Sequence, residues 1–485
     1  MNAPPLQTVP GRRAIGGAPD VVILGAGLAG LTAGSLLSPS GADVTVVEKD
    51  SAVGGLARTI EHNGFRFDVG GHRFHTENRE VEKLVRSVLG HEVLEVDRSS
   101  KILMHGRYFD YPWKPANALG GLGPGTAAGV IFSFAAERLR QRIRKPETVS
   151  FEDEIVRRFG RAMFSIFVKE YSEKVWGVPC DRMARELAEW RIQGLSVGAA
   201  LRDMLFARNR GTVRTLARKF LYPPRGIGQL ADGLRRQIEE YGQVRTGTAV
   251  TGVNHSGGRI ESVALRNDGR TRLKQASEFA SSIPLSALVR LLDPKPPEAI
   301  LEAAASLRFR DLLIVAIMID RARVTDQTWI YVPERKIPFG RIHEPTNWSP
   351  QMAPEGKTLL VMEYFCFRGD DRWRMHDDAI VEVTVSSLND LGLIRPHEVT
   401  DSRVLRVPEA YPLFESGHDE NRRRICDYLA RFGNLQVIGR GGMFRYFNMD
   451  HAMDSGIAAA EAIIARNAGA HRHDRRPTAV AEACR

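Results

Sequence analysis

Gly25-Ala26-Gly27-Leu28-Ala29-Gly30 lies between a short apolar run, Asp20 to Leu24 (DVVIL), and a stretch of helical character that reaches Leu37. Three glycines at this spacing suit a strand-to-helix turn. The first permits a tight reversal, the second lets a ligand's pyrophosphate come close to the backbone, and the third lets helix and strand pack closely. The start of the helix adds unpaired N–H groups and partial positive charge. A second strand, Asp43 to Glu48 (DVTVVE), completes a βαβ unit, with Glu48 18 residues after Gly30. A carboxylate at that point accepts hydrogen bonds from ribose hydroxyls and repels a 2′-phosphate. The order strand, glycines, helix, strand, acid predicts a dinucleotide-binding unit.

The remaining chain is long enough to enclose such a ligand. At 485 residues two or three domains are expected. From Ser150 to about Lys219 the pattern is helical and strongly charged, with FEDEIVRRFG, AMFSIFVKEYSEKVW and MARELAEWRIQGL as predicted helices. After the turn YPPRG, IGQLADGLRRQIEEYG reads as a helix and VRTGTAVTGVNHSGGRIESVAL as strands with a hairpin. A strand-rich region follows from about Leu312 to Val407, then GNLQVIGRGG and a final helix from about Met453 to Asn467. No internal repeat is visible.

Composition narrows the function classes. With 43% hydrophobic and 26% charged residues the chain is neither disordered nor fibrous. Its four cysteines (Cys180, Cys366, Cys426, Cys484) form no CxxC pair, which argues against a zinc site or disulfide framework and for a reducing, cytoplasmic setting. Lys and Arg outnumber Asp and Glu by 68 to 58, a surplus that favours acidic partners. The densest basic runs, RLRQRIRK and HRHDRR, belong to no nucleic-acid module, so no nucleic-acid partner is expected. Residues 1–19 lack the apolar core of a signal peptide and read as a loose leader. Pro115 to Ala136 is uncharged but rich in glycine and weakly apolar, so it predicts a buried or interfacial helix rather than a membrane span. Peripheral membrane contact through the following RLRQRIRK is the lesser alternative.

Ser51 to Thr59 (SAVGGLART) places a second glycine pair just beyond Glu48, an extension of the phosphate-facing backbone that NAD folds do not require. FAD is therefore the expected dinucleotide. Phe67 to Thr76 (FDVGGHRFHT) then sets Gly70 and Gly71 before His72. A backbone without Cβ atoms can lie against an isoalloxazine, and the histidine segment can offer hydrogen bonds near N5. These segments resemble the flavoprotein group of amine oxidases, protoporphyrinogen oxidases, phytoene desaturases and UDP-galactopyranose mutases. VGGLARTIEHNGFRFDVGGH is most similar to the mutases. The resemblance implies an α/β fold: a Rossmann-like FAD-binding domain, a helical lobe and an antiparallel-sheet substrate domain. On this division a leader (1–19) precedes the FAD-binding parts at 20–80, 221–290 and 415–468. The substrate sheet takes 81–114 and 291–414, the helical lobe 115–220, and a tail 469–485. The cofactor set it implies is Gly25, Gly27, Leu28, Ala29, Gly30, Glu48, Lys49, Gly55, Leu56, Ala57, Gly70, Gly71, His72 and Val250.

Three further segments carry the resemblance across roughly residues 20 to 465. In KVWGVPCDRMARELAEWR, Trp176 and Arg191 match a tryptophan that lines the mutases' substrate cleft and an arginine that binds the substrate diphosphate. A surface pairing of Arg191 with Glu186 or Glu189 is the structural alternative. WIYVPERKIPFGRIHEPTNWSP supplies Tyr331, Arg341 as second phosphate-binding arginine, and Trp348. GRGGMFRYFNMDH implies Arg440 at the FAD phosphates, Tyr446 at the substrate, and Asn448, Met449 and Asp450 at the ribityl chain and ring edge. Tyr411 corresponds to a phosphate-contacting tyrosine. Guanidinium groups suit this work because they give forked, permanently charged contacts to phosphate. One departure stands out: in YFDYPWK, Tyr111 is kept but Lys114 replaces the mutases' base-recognising glutamine, and an ammonium only donates.

The resemblance implies a mutase that interconverts pyranose and furanose forms of a nucleotide-linked sugar. In that family reduced FAD attacks the anomeric carbon through N5 with no net redox change, and His72, Arg191, Arg341 and Tyr446 would be the catalytic set. NAD(P)H is a candidate external reductant, and no metal is expected. The partner is a nucleotide sugar or another anionic small molecule, with self-association left open. The rival reading is an FAD oxidoreductase of amine oxidase, protoporphyrinogen oxidase or desaturase type, in which the two arginines bind carboxylates.

Overall fold

The computed structural model describes residues 19–111, 123–144, 147–191 and 219–467, apart from the side chains of 144 and 189–191. Its centre is a five-stranded, wholly parallel sheet in the order Leu435–Val437, Glu278–Ser281, Asp20–Leu24, Asp43–Val47, Gln243–Arg245. Asp20–Leu24 and Asp43–Val47 are buried almost throughout, as strands covered on both faces must be. Helix Leu28–Leu37 crosses between them. Small residues let its neighbours come close: a Cβ on Gly456 of the last helix would strike the Ala29 carbonyl, and one on Gly34 would lie 2.9 Å from Ile238 Cδ1.

A seven-stranded sheet forms the second layer, in the order Val399–Pro412, Phe309–Ile319, Thr358–Cys366, Arg341–His343, Trp329–Tyr331, Ser100–Met104, Arg107–Asp110. It is antiparallel except where Trp329–Tyr331 runs parallel to Ser100–Met104. Alternate residues of its central strands feed two separate cores, one shared with the helical lobe and one under helix Asp377–Asp390. The strand-rich region expected from Leu312 to Val407 is therefore interrupted by a helix. The β-branched run VEVTV favours a strand locally, but the outer face of the sheet needs an apolar cover, and Ile380 and Leu388 supply it. A four-stranded sheet, Arg270–Gln275, Arg259–Asn267, Ala249–Ser256, Leu292–Asp293, contains the expected hairpin. Within 81–114, helix Arg79–Leu89 comes first, and Leu94–Asp97 pairs with Lys219–Tyr222 in a separate ribbon.

In the helical lobe Phe151–Phe159 is capped by Ser150, whose hydroxyl accepts from the Asp153 N–H at 3.1 Å. The predicted AMFSIFVKEYSEKVW helix holds a π-turn at Phe164–Val168 before Lys169–Trp176. The extra residue per turn rotates the following segment, and that segment carries Tyr171 and Trp176. Helix Pro124–Arg144 covers the second half of the uncharged stretch, with Phe132 exposed. Among the described residues no helix is long and apolar enough to cross a membrane, and no group of side chains could hold a metal ion.

The hairpin Thr59–His62/Phe65–Asp68 delivers the chain to Gly70. Asp68 at its end is buried and accepts from Thr59 Oγ1 at 2.6 Å, Tyr222 Oη at 2.7 Å and the Ile227 N–H at 3.1 Å. Burial nevertheless raises its carboxyl from 3.8 to about 7. The native state thus holds this proton more tightly than the unfolded chain does. Its stabilising contribution is complete below the unfolded value and disappears as pH rises through about 7. Thermal stability measured from pH 5 to 8 should fall through that window in the wild type, and Asp68→Asn should flatten this component of the slope.

Candidate functional site

Gly25 has φ +101°, a value that favours glycine, and its N–H donates to the Val47 carbonyl at 2.8 Å. A Cβ on Gly30 would strike the Gly25 carbonyl, whereas Gly27 faces open space. The helix beginning at Leu28 has no side-chain cap and no acid in its first turn. Glu48, just past its strand, accepts from the Ala26 N–H at 2.8 Å and the Asp50 N–H at 3.0 Å, so its carboxylate is locked beside the turn. The second glycine pair abuts the first: Gly54 N–H donates to the Ala26 carbonyl at 2.7 Å, and Gly54 forms a bridge with Gly27. Leu56 is half-buried, Ala57 is buried and Lys49 is exposed. Val250 follows Thr248, whose N–H donates to the Glu48 carbonyl at 2.7 Å.

Arg58, absent from the sequence-based set, adds a decisive detail. Its Nη1 pairs with Asp50 at 3.0 Å, while its buried Nε has no partner. An orphaned guanidinium N–H beside an uncapped helix start and an open glycine turn fits the pyrophosphate of FAD.

Gly70 has φ +85°, and its N–H donates to the Asp68 carbonyl at 2.8 Å. His72 Nδ1 lies 3.1 Å from the Gly70 carbonyl, so Nδ1 carries the proton and Nε2 is an acceptor. Burial, reinforced by the Arg440 charge, lowers this imidazole to about 4, so it is neutral at pH 7. Gly71 is glycine for a reason the sequence did not disclose: a Cβ there would fall inside the indole of Trp329.

Across from this loop stands Glu363, fully buried and the only charged residue in strand Thr358–Cys366. Its Oε1 accepts from the Gly71 N–H at 3.1 Å and its Oε2 from Arg341 Nη1 at 3.0 Å. Arg341 also donates from Nε to Tyr171 Oη at 3.0 Å and from Nη1 to Tyr411 Oη at 3.4 Å. Its Nη2 has no partner among the described residues. The ring of Phe365 lies 4.8 Å from its guanidinium carbon, and that of Trp329 5.6 Å. Burial raises the Tyr411 hydroxyl, which stays protonated. Trp176 sits 6.4 Å from Tyr411 and 6.1 Å from Tyr446, centroid to centroid, and its buried Nε1 has no acceptor. Arg440 lies over the Tyr411 ring at 5.2 Å and donates to the Phe447 and Ala410 carbonyls. Tyr331 packs edge-on to Tyr171 at 5.6 Å and against Tyr111 at 4.6 Å.

The structure therefore gathers His72, Trp176, Tyr331, Arg341, Tyr411, Arg440 and Tyr446 into one neighbourhood. Trp348 is placed differently, in a buried layer: its indole donates to the Thr328 carbonyl at 3.0 Å and stacks with His343 and Trp329. Asn448 is exposed, and Met449 and Asp450 begin helix Met449–Asn467, four residues before its expected start. Arg191 ends helix Glu186–Arg191, with its side chain outside the described residues, and Lys114 lies outside them altogether. Glu363, Tyr171 and Arg58 were missed by sequence reasoning; only Glu363 had a signal, as a lone acid in the apolar strand TLLVMEYFC.

Gly71 has a backbone conformation open to other residues, so its glycine is a matter of space alone. Gly71→Ala should destabilise the protein by about 1–3 kcal/mol, the usual range for overpacking, and lower the flavin absorbance retained per mole. Trp329→Leu in the same chain should recover part of both. Gly70→Ala, strained by its positive φ, should show no such recovery.

Comparisons with known proteins agree with this geometry. The family model described as flavin containing amine oxidoreductase matches residues 28–464. Among curated proteins, the chain is 47% identical over 51 residues to a carotenoid 3,4-desaturase of Haloarcula japonica, a match covering 10% of each chain. It is 30% identical over 96 residues to human amine oxidase [flavin-containing] B, covering 20% of this chain and 18% of that protein. These matches thus span a fifth or less of the relatives' lengths. Whole-chain likeness appears in solved structures. A reduced UDP-galactopyranose mutase superposes with TM-score 0.80 at 20% identity, over 96% of this chain and 98% of that one. A protein from Exiguobacterium described as a protoporphyrinogen oxidase gives 0.71 at 18% identity, over 92% and 99%. Glycine loops, buried acid and family match together lead to one conclusion: the chain belongs to the flavin-containing amine oxidoreductase family and is an FAD-dependent flavoenzyme.

Proposed function

We propose that this flavoenzyme is a mutase that interconverts the pyranose and furanose forms of a nucleotide-linked sugar. The observation that carries the reading is Arg341: a guanidinium held rigid by Glu363 and two tyrosine hydroxyls, with Nη2 left over, on the same carboxylate that holds the Gly70–His72 loop. Such a group binds an oxyanion and fixes its distance from the loop. Arg191 joins Arg341 on the substrate diphosphate in this reading. Tyr411, its hydroxyl neutral, donates to a phosphate oxygen while its ring excludes water, and Trp176 and Tyr446 wall the sugar. Tyr331, Tyr111 and Lys114 belong to the nucleoside side, with Trp348 packed behind them, and donor-only Lys114 favours a base or group rich in acceptors.

His72 and the Gly70 carbonyl serve the ring edge of FAD, the neutral imidazole accepting through Nε2. Arg440 and Asn448 to Asp450 hold the cofactor's anionic and polar parts. Reduced FAD, when bound, supplies an electron-rich N5 nitrogen able to act as a nucleophile, so no protein nucleophile is needed. NAD(P)H is the expected external reductant.

An oxidoreductase reading draws on the desaturase and amine oxidase names among the relatives. In it the same arginines bind carboxylates.

Anaerobic holoenzyme reduced with dithionite should convert UDP-, GDP- or dTDP-linked pyranoses into furanose forms separable by chromatography, with the oxidised enzyme inert. Arg341→Lys should cut kcat/KM about 10- to 100-fold, consistent with loss of a charge-assisted pair, while retaining FAD. Oxygen uptake or dye reduction by a substrate, with no isomer formed, would support the oxidoreductase instead.

A further inference from the structure

A second group of unsatisfied donors lies along the row Trp329, Tyr331 and Tyr111, whose Trp329 ring also faces Arg341, and neither the sequence-based set nor the proposed mechanism uses it. Arg73 follows His72 directly. Its guanidinium carbon sits 4.8 Å from the Trp329 ring centroid and 5.9 Å from that of Phe220, and its buried Nη1 has no hydrogen-bond partner. Arg98 lies over Tyr111 at 5.4 Å, donates from Nε to Ser100 Oγ at 3.2 Å, and leaves its buried Nη2 unpartnered. The indole Nε1 of Trp329, the ring against which Arg73 lies, is likewise buried and without an acceptor. Tyr331 joins them, 6.1 Å from Trp329 and 4.6 Å from Tyr111.

Neither arginine makes an ion pair with any described residue. Arg73 hydrogen-bonds Tyr331 and Arg98 Ser100, yet Arg73 Nη1, Arg98 Nη2 and Trp329 Nε1 remain buried without an acceptor, an unstable way to build a protein interior. Burial draws the Arg73 guanidinium below its ordinary value, and the like charge of Arg98 adds to the effect. Placing both cations beside a cofactor loop without a carboxylate is understandable if the missing acceptor comes with a ligand.

We propose that Arg73, Arg98 and Trp329 Nε1 form a second oxyanion subsite, which binds a carboxylate or phosphate group along the row Trp329, Tyr331 and Tyr111, in addition to the group held by Arg341. The substrate then carries two anionic groups, one at Arg341 and one here, with the planar part of the molecule along Tyr171, Tyr331 and Tyr111. This subsite stands apart from the mutase reading, since either chemistry can use a doubly anionic substrate. It selects ligands by the spacing of their charges.

The test uses FAD-loaded protein and two probes, inorganic phosphate and malonate, so that the preferred oxyanion is identified. Crystals soaked in selenate should show an anomalous peak within hydrogen-bond distance of both guanidinium groups. By calorimetry, Arg73→Met and Arg98→Met should each weaken phosphate or malonate binding about tenfold or more, the loss expected for a charge-assisted hydrogen bond, whereas exposed Arg225→Met should leave it unchanged. No peak at Arg73 and Arg98 would overturn the proposal. So would a peak with unaltered affinity in both variants, which marks an adventitious ion only. Should either variant fail to retain FAD, the soaked wild-type crystal decides alone. Failure here with furanose still formed would remove the subsite but keep the mutase.

Discussion

The carboxylate of Glu363 holds two things that a flavin cleft needs in fixed relation, the backbone beside the ring and the cation that receives the substrate. One oxygen takes the Gly71 N–H and the other takes Arg341 Nη1, with no exposure to water. A buried ion pair of this kind contributes little net stability, because desolvating both charges offsets their attraction. Removing one member is another matter, since it strands the other in the interior. The arrangement is better understood as a positioning device whose worth is geometric.

The two main sheets explain why one residue can do this. The parallel sheet ends at the paired glycine turns, where backbone N–H groups, Arg58 and Glu48 surround an open volume. The seven-stranded sheet brings Arg341 and Glu363 opposite each other on neighbouring strands, as direct cross-strand partners. The hairpin ending at Asp68 carries Gly70–His72 from the first sheet to the second, and Gly71 closes against Trp329. The helical lobe then supplies Tyr171 to Arg341 and Trp176 to the Tyr411 ring, from a segment that includes a π-turn. Gly71, Tyr171 and Tyr411, far apart in sequence, thus converge on the buried Glu363–Arg341 pair.

Legibility in the sequence followed the range of the interactions. The glycine fingerprint, Glu48 and the second glycine pair are local, and each needs its residue type for reasons visible in the adjacent backbone. Arg341, Tyr411 and Trp176 could be named by resemblance, but their meeting is a product of tertiary structure. Glu363 was overlooked although a lone acid in TLLVMEYFC is a signal, because nothing in the strand says what it pairs with. Gly71 was read as making room for a flavin, whereas its immediate neighbour is the indole of a residue more than 250 positions away. Helix Asp377–Asp390 falls inside the region expected to be strand-rich, since the demand to cover a sheet face cannot be seen within fourteen residues. Arg73 and Arg98 carry no signal in the sequence; the buried donors they leave unpartnered are a fact of the fold alone.

The account rests on Glu363 coupling the cofactor loop to the anion-binding arginine, and a double-mutant cycle measures that coupling. Affinity of the FAD-loaded protein for inorganic pyrophosphate would be compared in the wild type, Glu363→Gln, Arg341→Lys and the double variant. An interaction energy of about 1 kcal/mol or more is the predicted result, with the double variant little worse than the worse single one. Losses that add within about 0.3–0.5 kcal/mol would show that the two groups act independently and would contradict the account.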